Sequence, residues 1–420
     1  MDSNITTLAN GLRIITSSRP HTETVTLGIW VNTGSACEQE DINGISHFLE
    51  HMVFKGTEKR SSLQISEEFE DVGGQSNAYT SREFTAFYAK MLKNDVELAI
   101  DILSDIVLHS NFPATELEKE REVVVQEIKQ TIDTPDDIIF DYLQERAFPN
   151  QAVGRSILGP AEKVRSYTAQ TLNDYRKNNY AAQNTVVCAV GNLNHDDFVK
   201  MVEVRMGDMQ KKASFKIDKQ IYTGGSYFEK RDIEQAHMVL GFKGEPYSCD
   251  NYYPAIVFST ILGGGMSSRL FQEIREKRGL VYSVYSFSNS HTQSGLFGIY
   301  AGTTREELKQ LMPVVCEEIR KIRTDLVSEQ ELKRAKMQLK ASMLMALESS
   351  SATVEVLARQ MLIFNRLIPV EEMVEKIECI TPEHIRCVAN ELFTSQPTYS
   401  LVGDIDGHPT YDEIQKLIRI

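Results

Sequence analysis

The sequence predicts an α+β protein of two homologous domains, each a mainly antiparallel β-sheet with helices packed on one face. Its 420 residues exceed what one hydrophobic core usually organises and suit two domains of about 200 residues. Segments typical of strands and of helices are mixed along the chain in runs, as in antiparallel sheets covered by helices. In addition, the two halves carry similar segments at a spacing that is too long for a solenoid array.

The repeat is clearest near the end of each half. Residues 168–180 align with residues 381–393 at an offset of 213 (381 − 168). Gly191, which ends the segment VCAVG, aligns with Gly403 of SLVG at an offset of 212 (403 − 191). We therefore expect two related domains joined by a lysine-rich linker. The predicted first domain, linker and second domain cover residues 1–210, 211–225 and 226–420.

The elements of the first half follow from local patterns. Residues 12–16 and 25–31 are rich in β-branched and aromatic residues, which is typical of strands. A helix is predicted over residues 45–54, with Asn43 as its N-cap and Gly56 at its end. The remaining predicted elements are, in order, a helix near 63–71, a strand pair within 76–90, helices at 94–109, 114–130 and 168–180, and a strand at 185–190.

Charge and hydropathy argue against several classes of partner. A net charge of −14 disfavours nucleic acid, since phosphate binding requires a basic face. No run of about 18 apolar residues occurs, so we expect no membrane span. The N-terminal residues lack the features of a signal or transit peptide, and we expect a bacterial cytoplasmic protein or the mature form of an organelle-matrix enzyme. The six cysteines form no C-x-x-C pair and are expected to be free thiols: Cys37, Cys188, Cys249, Cys316, Cys379 and Cys387.

The predicted helix at 45–54 contains the pattern H-x-x-E-H. His47 and His51 are four residues apart, so both imidazoles leave the same helix face and have the spacing that one zinc ion needs. Glu50 lies beside His51, where its carboxylate can take a proton from a water bound to the same metal. The structural alternative is a pair of core histidines with a glutamate nearby.

A third ligand is predicted in the helix at 114–130. Glu120 and Glu127 are seven residues, or two turns, apart and share one face. Val123 and Val124 lie next to this face, which suggests that the two carboxylates point inward. Buried carboxylates need a partner such as a metal or a histidine. We therefore predict Glu127 as the third ligand, with Glu120 orienting a ligand or a water.

H-x-x-E-H with glutamates 69 and 76 residues after the second histidine (120 − 51 and 127 − 51) resembles the inverzincins of the pitrilysin/insulinase class. The chain is similar in length to the smaller members, which include the β-subunit of the mitochondrial processing peptidase and its bacterial relatives. The resemblance covers the whole chain and implies a zinc metalloendopeptidase with one Zn²⁺ per chain. It implies these roles: His47, His51 and Glu127 as ligands, Glu50 as general base and Glu120 as an assisting residue.

Two further segments match the same family. GGQSNAYT, with Asn77, Ala78 and Tyr79, resembles the edge strand that binds peptide main chain by strand addition, although a glycine-led strand is also typical of an ordinary turn. Arg275 and Tyr282 match the family's Arg and Tyr seven residues apart, which by resemblance hold a substrate carbonyl and stabilise the oxyanion. The alternative for this pair is a surface arginine and a core tyrosine.

The second half lacks the metal pattern. At an offset of 215, the positions of His47, Glu50 and His51 are occupied by Leu262, Gly265 and Met266. The resemblance therefore implies a catalytic first domain and a noncatalytic second domain that completes the substrate chamber. Larger single-chain relatives enclose substrate with four such domains, so we expect a homodimer, with a hetero-partner as the alternative. A second function class stays open: a noncatalytic assembly or binding subunit of the same fold.

Specificity residues are also implied by resemblance to the processing peptidase. Phe54 (51 + 3) corresponds to the aromatic residue that lines the pocket after the cut. Asp137 (127 + 10) and Asp141 (127 + 14) correspond to acids that bind an arginine two residues before it. The segment 101–150 has twelve acidic and four basic residues, a balance of −8, which favours cationic peptides. We expect short, unfolded, presequence-like peptide substrates; two solvated helix acids near Pro135 are the alternative.

Overall fold

The computed structural model describes residues 3–214 and 217–419, which form two compact units. Of the predicted linker, residues 215 and 216 lie outside the described residues. The first unit comprises residues 3–129, 155–214, 217–218 and 344–369, and the second comprises residues 130–154, 219–343 and 370–419. Among the described residues, no helix has the length and apolar character that crossing a bilayer requires.

Each unit is built on one β-sheet. The first sheet has the strand order β1-β2-β6-β3-β5-β4, with β1 (Ser3–Thr7), β2 (Arg13–Ser18), β3 (Thr24–Val31), β4 (Gln75–Thr80), β5 (Thr85–Leu92) and β6 (Thr185–Gly191). The second has the order β7-β11-β8-β10-β9, with β7 (Gly225–Lys230), β8 (Gln235–Lys243), β9 (Ser283–Ser290), β10 (Gly295–Thr304) and β11 (Thr398–Gly403). In both sheets every pairing is antiparallel except one, β2 with β6 and β11 with β7. The predicted α+β class is confirmed.

The helices connect and cover these sheets. In chain order they are α1 (Ile45–Val53), α2 (Ser62–Glu70), α3 (Val96–His109), α4 (Ala114–Ile132), α5 (Pro135–Ala147), α6 (Ala161–Ser166), α7 (Ala169–Asn179), α8 (His195–Met206), α9 (Tyr252–Gly263), α10 (Arg305–Thr324), α11 (Glu329–Ala346), α12 (Ser350–Phe364), α13 (Val370–Glu378), α14 (Pro382–Thr394) and α15 (Tyr411–Arg419). A π-helical turn, Phe271–Glu276, follows α9. The six cysteines, all within the described residues, are free thiols, as predicted.

Equivalent glycines end the equivalent strands β6 and β11. Gly191 has φ 145° and Gly403 has φ 122°, a region that side chains rarely adopt. A Cβ at Gly191 would lie 2.3 Å from the carbonyl oxygen of Thr24, and one at Gly403 would lie 2.1 Å from that of Gln235. The aligned positions found in the sequence therefore have the same backbone conformation and the same close approach to the neighbouring strand.

The core of the first unit anchors α1. Five apolar residues of this short helix are fully buried: Ile45, Phe48, Leu49, Met52 and Val53. They belong to one cluster with residues of β3, α3 and α4, including Leu27, Ile102 and Val124. Burying a large aliphatic or aromatic side chain contributes roughly 1.5–3 kcal/mol, so tertiary packing rather than helix propensity stabilises this nine-residue helix.

Two helices do not follow the predicted division of the chain into consecutive domains, with boundaries at residues 210 and 226. α5, from the first half of the chain, belongs to the second unit, where Phe140 stacks on Tyr300 with ring centroids 5.6 Å apart. α12, from the second half, belongs to the first unit and buries Leu357 and Met361 on the sheet face opposite the main core. There Glu355 accepts a 2.9 Å hydrogen bond from Nε1 of Trp30. In addition to the predicted helices on one face, each compact unit thus includes a helix from the other half of the sequence.

Candidate metal centre

The helix that carries H-x-x-E-H is capped by a residue outside it. Gly44, at the N-cap, has φ 97° and has no side chain to cap the helix. The buried carboxylate of Glu38 takes this role: Oε2 accepts from the backbone N–H of Gly44 at 2.7 Å, and Oε1 accepts from that of Ser46 at 2.8 Å. The predicted capping by Asn43 is wrong, because its side chain instead donates to Glu38 at 3.0 Å. A carboxylate at this position also complements the positive end of the helix dipole.

Within the first unit, α1 and α4 bring three possible ligand atoms together. Nε2 of His47 and Nε2 of His51 each lie 3.6 Å from Oε2 of Glu127. All three atoms lie within 4.8 Å of one another, and the two imidazole rings have centroids 4.6 Å apart. The i, i+4 spacing of the histidines therefore has the geometric result predicted from the helix period.

The three distances suit metal ligands better than hydrogen-bond partners. A separation of 3.6 Å is too long for a hydrogen bond, whereas a tetrahedral ion bound at about 2.1 Å sets its ligand atoms roughly 3.4 Å apart. Oε2 of Glu127 is buried and accepts no hydrogen bond from any described residue. Two imidazole nitrogens and one carboxylate oxygen form a donor set typical of catalytic zinc, which keeps one position open. The residues present therefore fit a zinc ion.

The surroundings act differently on the two histidines. Nδ1 of His51 donates to Oε1 of Glu120 at 2.9 Å, so Nε2 is the ring nitrogen that faces Glu127. Burial alone lowers the pKa of His51, but the hydrogen bond to Glu120 and the neighbouring carboxylates outweigh it and raise the pKa. Burial, followed by repulsion from His51, lowers the pKa of His47 to about 3 and keeps its imidazole neutral. A metal ligand needs this neutral form.

Glu50 lies next to the cluster on the same helix. Its Oε2 accepts a 2.6 Å hydrogen bond from Oγ1 of Thr80, the last residue of β4. Burial raises the pKa of Glu50, and the charge of Glu127 adds to this, although Thr80 and His51 act in the opposite direction. Sequence reasoning missed Thr80, even though it directly follows the segment predicted to bind substrate. The arrangement sets a carboxylate beside three ligand atoms, which suits proton transfer at a metal.

The residues predicted to bind peptide lie on β4 and next to α1. In the strand order, β4 is at the edge of the sheet and pairs with β5, Asn77 opposite Tyr88 and Ala78 opposite Phe87. An edge strand presents backbone groups that an extended peptide can pair with. The side chains of Phe54, Ala78 and Tyr79 are partly buried. The hydroxyl of Tyr79 donates to Oε1 of Glu355 at 2.5 Å.

Four other predicted site residues belong to the second unit, whereas the metal cluster belongs to the first. Arg275 lies in the π-helical turn, with its guanidinium 5.1 Å from the ring centre of Phe271. Tyr282 is 57% exposed, which contradicts the alternative of a core tyrosine. Asp137 and Asp141 lie one turn apart on α5. Burial, and then the charge of Asp141, raises the pKa of Asp137.

The counterparts of the ligands in the second unit have no metal-binding character. Leu262 is fully buried at the end of α9, and Met266 is 75% exposed. Packing requires a glycine at position 263, directly after Leu262, since a Cβ there would lie 2.4 Å from the backbone nitrogen of Ser286. In the part of the chain that the structure describes, the group formed by His47, His51 and Glu127 is the one cluster of three or more metal-binding side chains.

Comparisons with known proteins find relatives along nearly the whole chain. Residues 13–161 match the family profile described as insulinase (peptidase family M16), and residues 166–339 match the profile of the peptidase M16 inactive domain. An uncharacterized zinc protease of Bacillus subtilis is 37% identical over 405 residues, which cover 96% of this chain and 99% of that protein. A probable β-subunit of the mitochondrial processing peptidase from Arabidopsis thaliana is 32% identical, covering 99% of this chain and 81% of that protein.

A solved structure supports the fold. A protease from Helicobacter pylori has a TM-score of 0.88 and 21% sequence identity, covering 96% of this chain and 99% of that chain. At this identity the likeness concerns the architecture. The first matched profile includes the cluster of His47, His51 and Glu127, whereas the second, which begins at residue 166, contains none of these residues.

Proposed function

This chain belongs to the insulinase family of peptidases, peptidase family M16, and from that premise we propose that it is a zinc-dependent endopeptidase. One observation carries the proposal: Oε2 of Glu127 faces the Nε2 atoms of His47 and His51 at 3.6 Å, with Glu50 adjacent on the same helix. The relatives are named zinc proteases, which supports zinc as the cofactor of the family. We assign one Zn²⁺ per chain to these three ligands.

The residues of the site have different roles in peptide hydrolysis. Bound zinc would lower the pKa of a coordinated water toward about 7 and polarise the scissile carbonyl. Glu50 is the general base, which accepts a proton from the attacking water and passes it to the leaving amine. Glu120 holds His51 in the tautomer that presents Nε2 to the metal.

A noncatalytic subunit is the alternative within the same family. A binding or assembly subunit needs neither the base nor the open fourth position. Here the three ligand atoms and Glu50 are all in place, and Glu50 has a hydrogen-bond partner that restrains its carboxylate. This combination favours an active enzyme.

We assign substrate binding to the edge of the first sheet and to acids of the second unit. A peptide that adds to β4 beside Asn77, Ala78 and Tyr79 would have to be extended, so the substrates are short or unfolded peptides. Phe54, the residue that follows α1, would line the pocket after the cut. The carboxylates of Asp137 and Asp141, one turn apart on α5, would hold an arginine before it, as in basic presequence-like peptides.

Arg275 and Tyr282 are assigned to the oxyanion. The phenol of Tyr282 is exposed and does not belong to the core, and the guanidinium of Arg275 carries a permanent positive charge. Donors of this kind stabilise the negative oxygen that develops when the carbonyl is attacked. The second unit would thus take part in catalysis without binding metal.

We also propose that the enzyme is a homodimer. The resemblance to larger single-chain members, which enclose substrate with four domains of this type, supports this proposal, because two copies of this chain would supply four. Light scattering coupled to size exclusion should give a mass near 95.2 kDa (2 × 47.6) for the active species. Full activity of a species of 47.6 kDa would contradict the dimer.

The metal and the base are tested by separate substitutions. The purified chain should contain about one zinc, and phenanthroline should abolish cleavage of an unfolded peptide. Glu50→Gln should keep zinc and lose nearly all turnover, because it removes the base and no ligand. His47→Ala and Glu127→Ala should lose zinc.

The exposed Glu122, on the same helix as Glu127, gives a matched control. Glu122→Gln should retain both zinc and activity. Cleavage by Glu50→Gln at the wild-type rate would overturn the mechanism, and a wild-type chain that binds no zinc would overturn the assignment of the site.

A further inference from the structure

Lys55, one turn beyond His51, contacts the glutamate that orients this histidine. Its Nζ lies 2.8 Å from Oε2 of Glu120, while the other oxygen, Oε1, accepts from Nδ1 of His51 at 2.9 Å. The Glu120 side chain is 7% exposed and that of Lys55 is 26% exposed. Lys55, Glu120 and His51 therefore form a continuous chain of contacts from the protein surface to a proposed ligand.

The position of Lys55 has a direct geometric consequence. A partner on one oxygen restrains a carboxylate, and a second partner on the other oxygen restrains it further and fixes its plane. With Lys55 on Oε2, the oxygen that faces His51 is held as a hydrogen-bond acceptor. The imidazole of His51 is thereby held in one orientation, with Nε2 toward Glu127.

We propose that Lys55 is a positioning residue of the metal centre, which strengthens zinc binding by holding Glu120 against His51. The proposal rests on the function assigned above, because it assumes that His51 is a zinc ligand. The ion-pair partner of Lys55 is Glu120 and not one of the three ligand residues. Its effect is transmitted through Glu120.

A merely structural role for Lys55 makes different predictions. Lys55 lines an open cleft of about 850 Å³, together with Glu58, Lys59 and Glu116, so a methionine of similar length can be accommodated there. If Lys55 only joined α1 to α4, its loss would lower the stability of the metal-free protein and leave the zinc affinity of the folded protein unchanged. Zinc affinity and apoprotein stability must therefore both be measured.

The experiment uses the full-length chain, stripped of metal and titrated with zinc against a chromophoric chelator. Lys55→Met should weaken zinc binding by about 10–100-fold, the range found when the partner of a metal ligand is lost. Lys55→Arg, which keeps the charge and the donors, should stay within about threefold of wild type. The exposed Lys59 gives the matched control, and Lys59→Met should bind zinc as wild type does. If Lys55→Met does not fold, Lys55→Gln is used in the same comparison.

A second pair of proteins tests whether Lys55 acts through Glu120. In a Glu120→Gln background, adding Lys55→Met should cause no further loss of zinc affinity, since the carboxylate that Lys55 holds is absent. An equal loss in both backgrounds, or an equal loss in Lys59→Met, would overturn the proposal. So would wild-type zinc affinity in Lys55→Met. If the wild-type chain itself binds no zinc, the proposed function fails instead.

Discussion

Oγ1 of Thr80 donates a 2.6 Å hydrogen bond to Oε2 of Glu50. Thr80 ends β4 at the edge of the first sheet, and Glu50 lies on α1. The bond therefore joins the strand assigned to peptide binding with the residue assigned as general base. A partner on one oxygen restricts the carboxylate plane and so directs the other oxygen, which is how a base is kept in a productive position.

Thr80→Val removes this hydrogen bond with little change in volume. A hydrogen bond to a charged group is worth about 1.5–3 kcal/mol, so we expect kcat to fall roughly 10–100-fold, with zinc content and KM little changed. Thr80→Ser keeps the hydroxyl and should restore most of the rate. Steady-state kinetics on one peptide, with zinc measured on the same samples, checks this; equal kcat for the valine and serine variants would contradict it.

Arg275 and Tyr282 are tested by substitutions that leave the metal cluster intact. Arg275→Ala and Tyr282→Phe should each reduce kcat by about 10²–10³-fold if they donate to the oxyanion, with zinc content unchanged. Tyr285, another partly exposed tyrosine of the same region, provides the control. Tyr285→Phe should keep the wild-type rate. A wild-type kcat in both Tyr282→Phe and Arg275→Ala would show that these residues of the second unit take no part in catalysis.

The acid pair on α5 is tested with matched peptides that differ at one position. Asp137→Asn combined with Asp141→Asn should cost about 1–3 kcal/mol in kcat/KM for arginine-containing peptides and little for alanine-substituted ones. Asp133→Asn combined with Glu145→Gln removes the same charge from exposed positions nearby and should leave the preference unchanged. An identical cleavage profile in the Asp137/Asp141 variant and wild type would show that this pair does not select arginine.

An ion pair at the start of α11 predicts a contribution to acid stability. Nε of Arg269 lies 2.8 Å from Oε1 of Glu331, and the N–H of Ser328 donates to Oε2 at 2.9 Å. Burial alone would raise the pKa of Glu331, but these hydrogen bonds lower it from 4.5 to about 2. Because the folded-state pKa is depressed, the stabilisation is complete above the unfolded value and is lost as pH falls toward the folded value.

Glu331→Gln should therefore be less stable than wild type at pH 7, by about 1–2 kcal/mol. The difference should narrow as pH falls from about 4.5 toward 2. Thermal unfolding followed by circular dichroism at several pH values measures it, with the exposed Glu329→Gln as control. A difference that stays constant down to pH 3 would contradict the role of this carboxylate.

Local periodicity in the sequence determined much of the fold and which residues form the candidate metal centre. The predicted helix at 45–54 is α1 (Ile45–Val53), and the predicted strand at 185–190 is β6 (Thr185–Gly191). The four-residue spacing of His47 and His51 placed both rings on one face, because the rise and twist of an α-helix are set by adjacent peptide units. The resemblance of the motif pattern to the insulinase class led to the correct family.

Contacts between distant segments were decided only by the tertiary structure. Asn43 had the residue type and position of an N-cap, yet the cap of α1 is the carboxylate of Glu38, brought there by the preceding loop. Nothing local indicated that Thr80 would meet Glu50, that Lys55 would hold Glu120, or that α12 would cover the opposite face of the first sheet. The sequence by itself determined which residues share a helix face, since that geometry is short-range. The hydrogen-bond donor that pairs with each carboxylate depends instead on how helices and strands far apart in the chain pack together. Buried polar groups take the partners that the assembled core offers them.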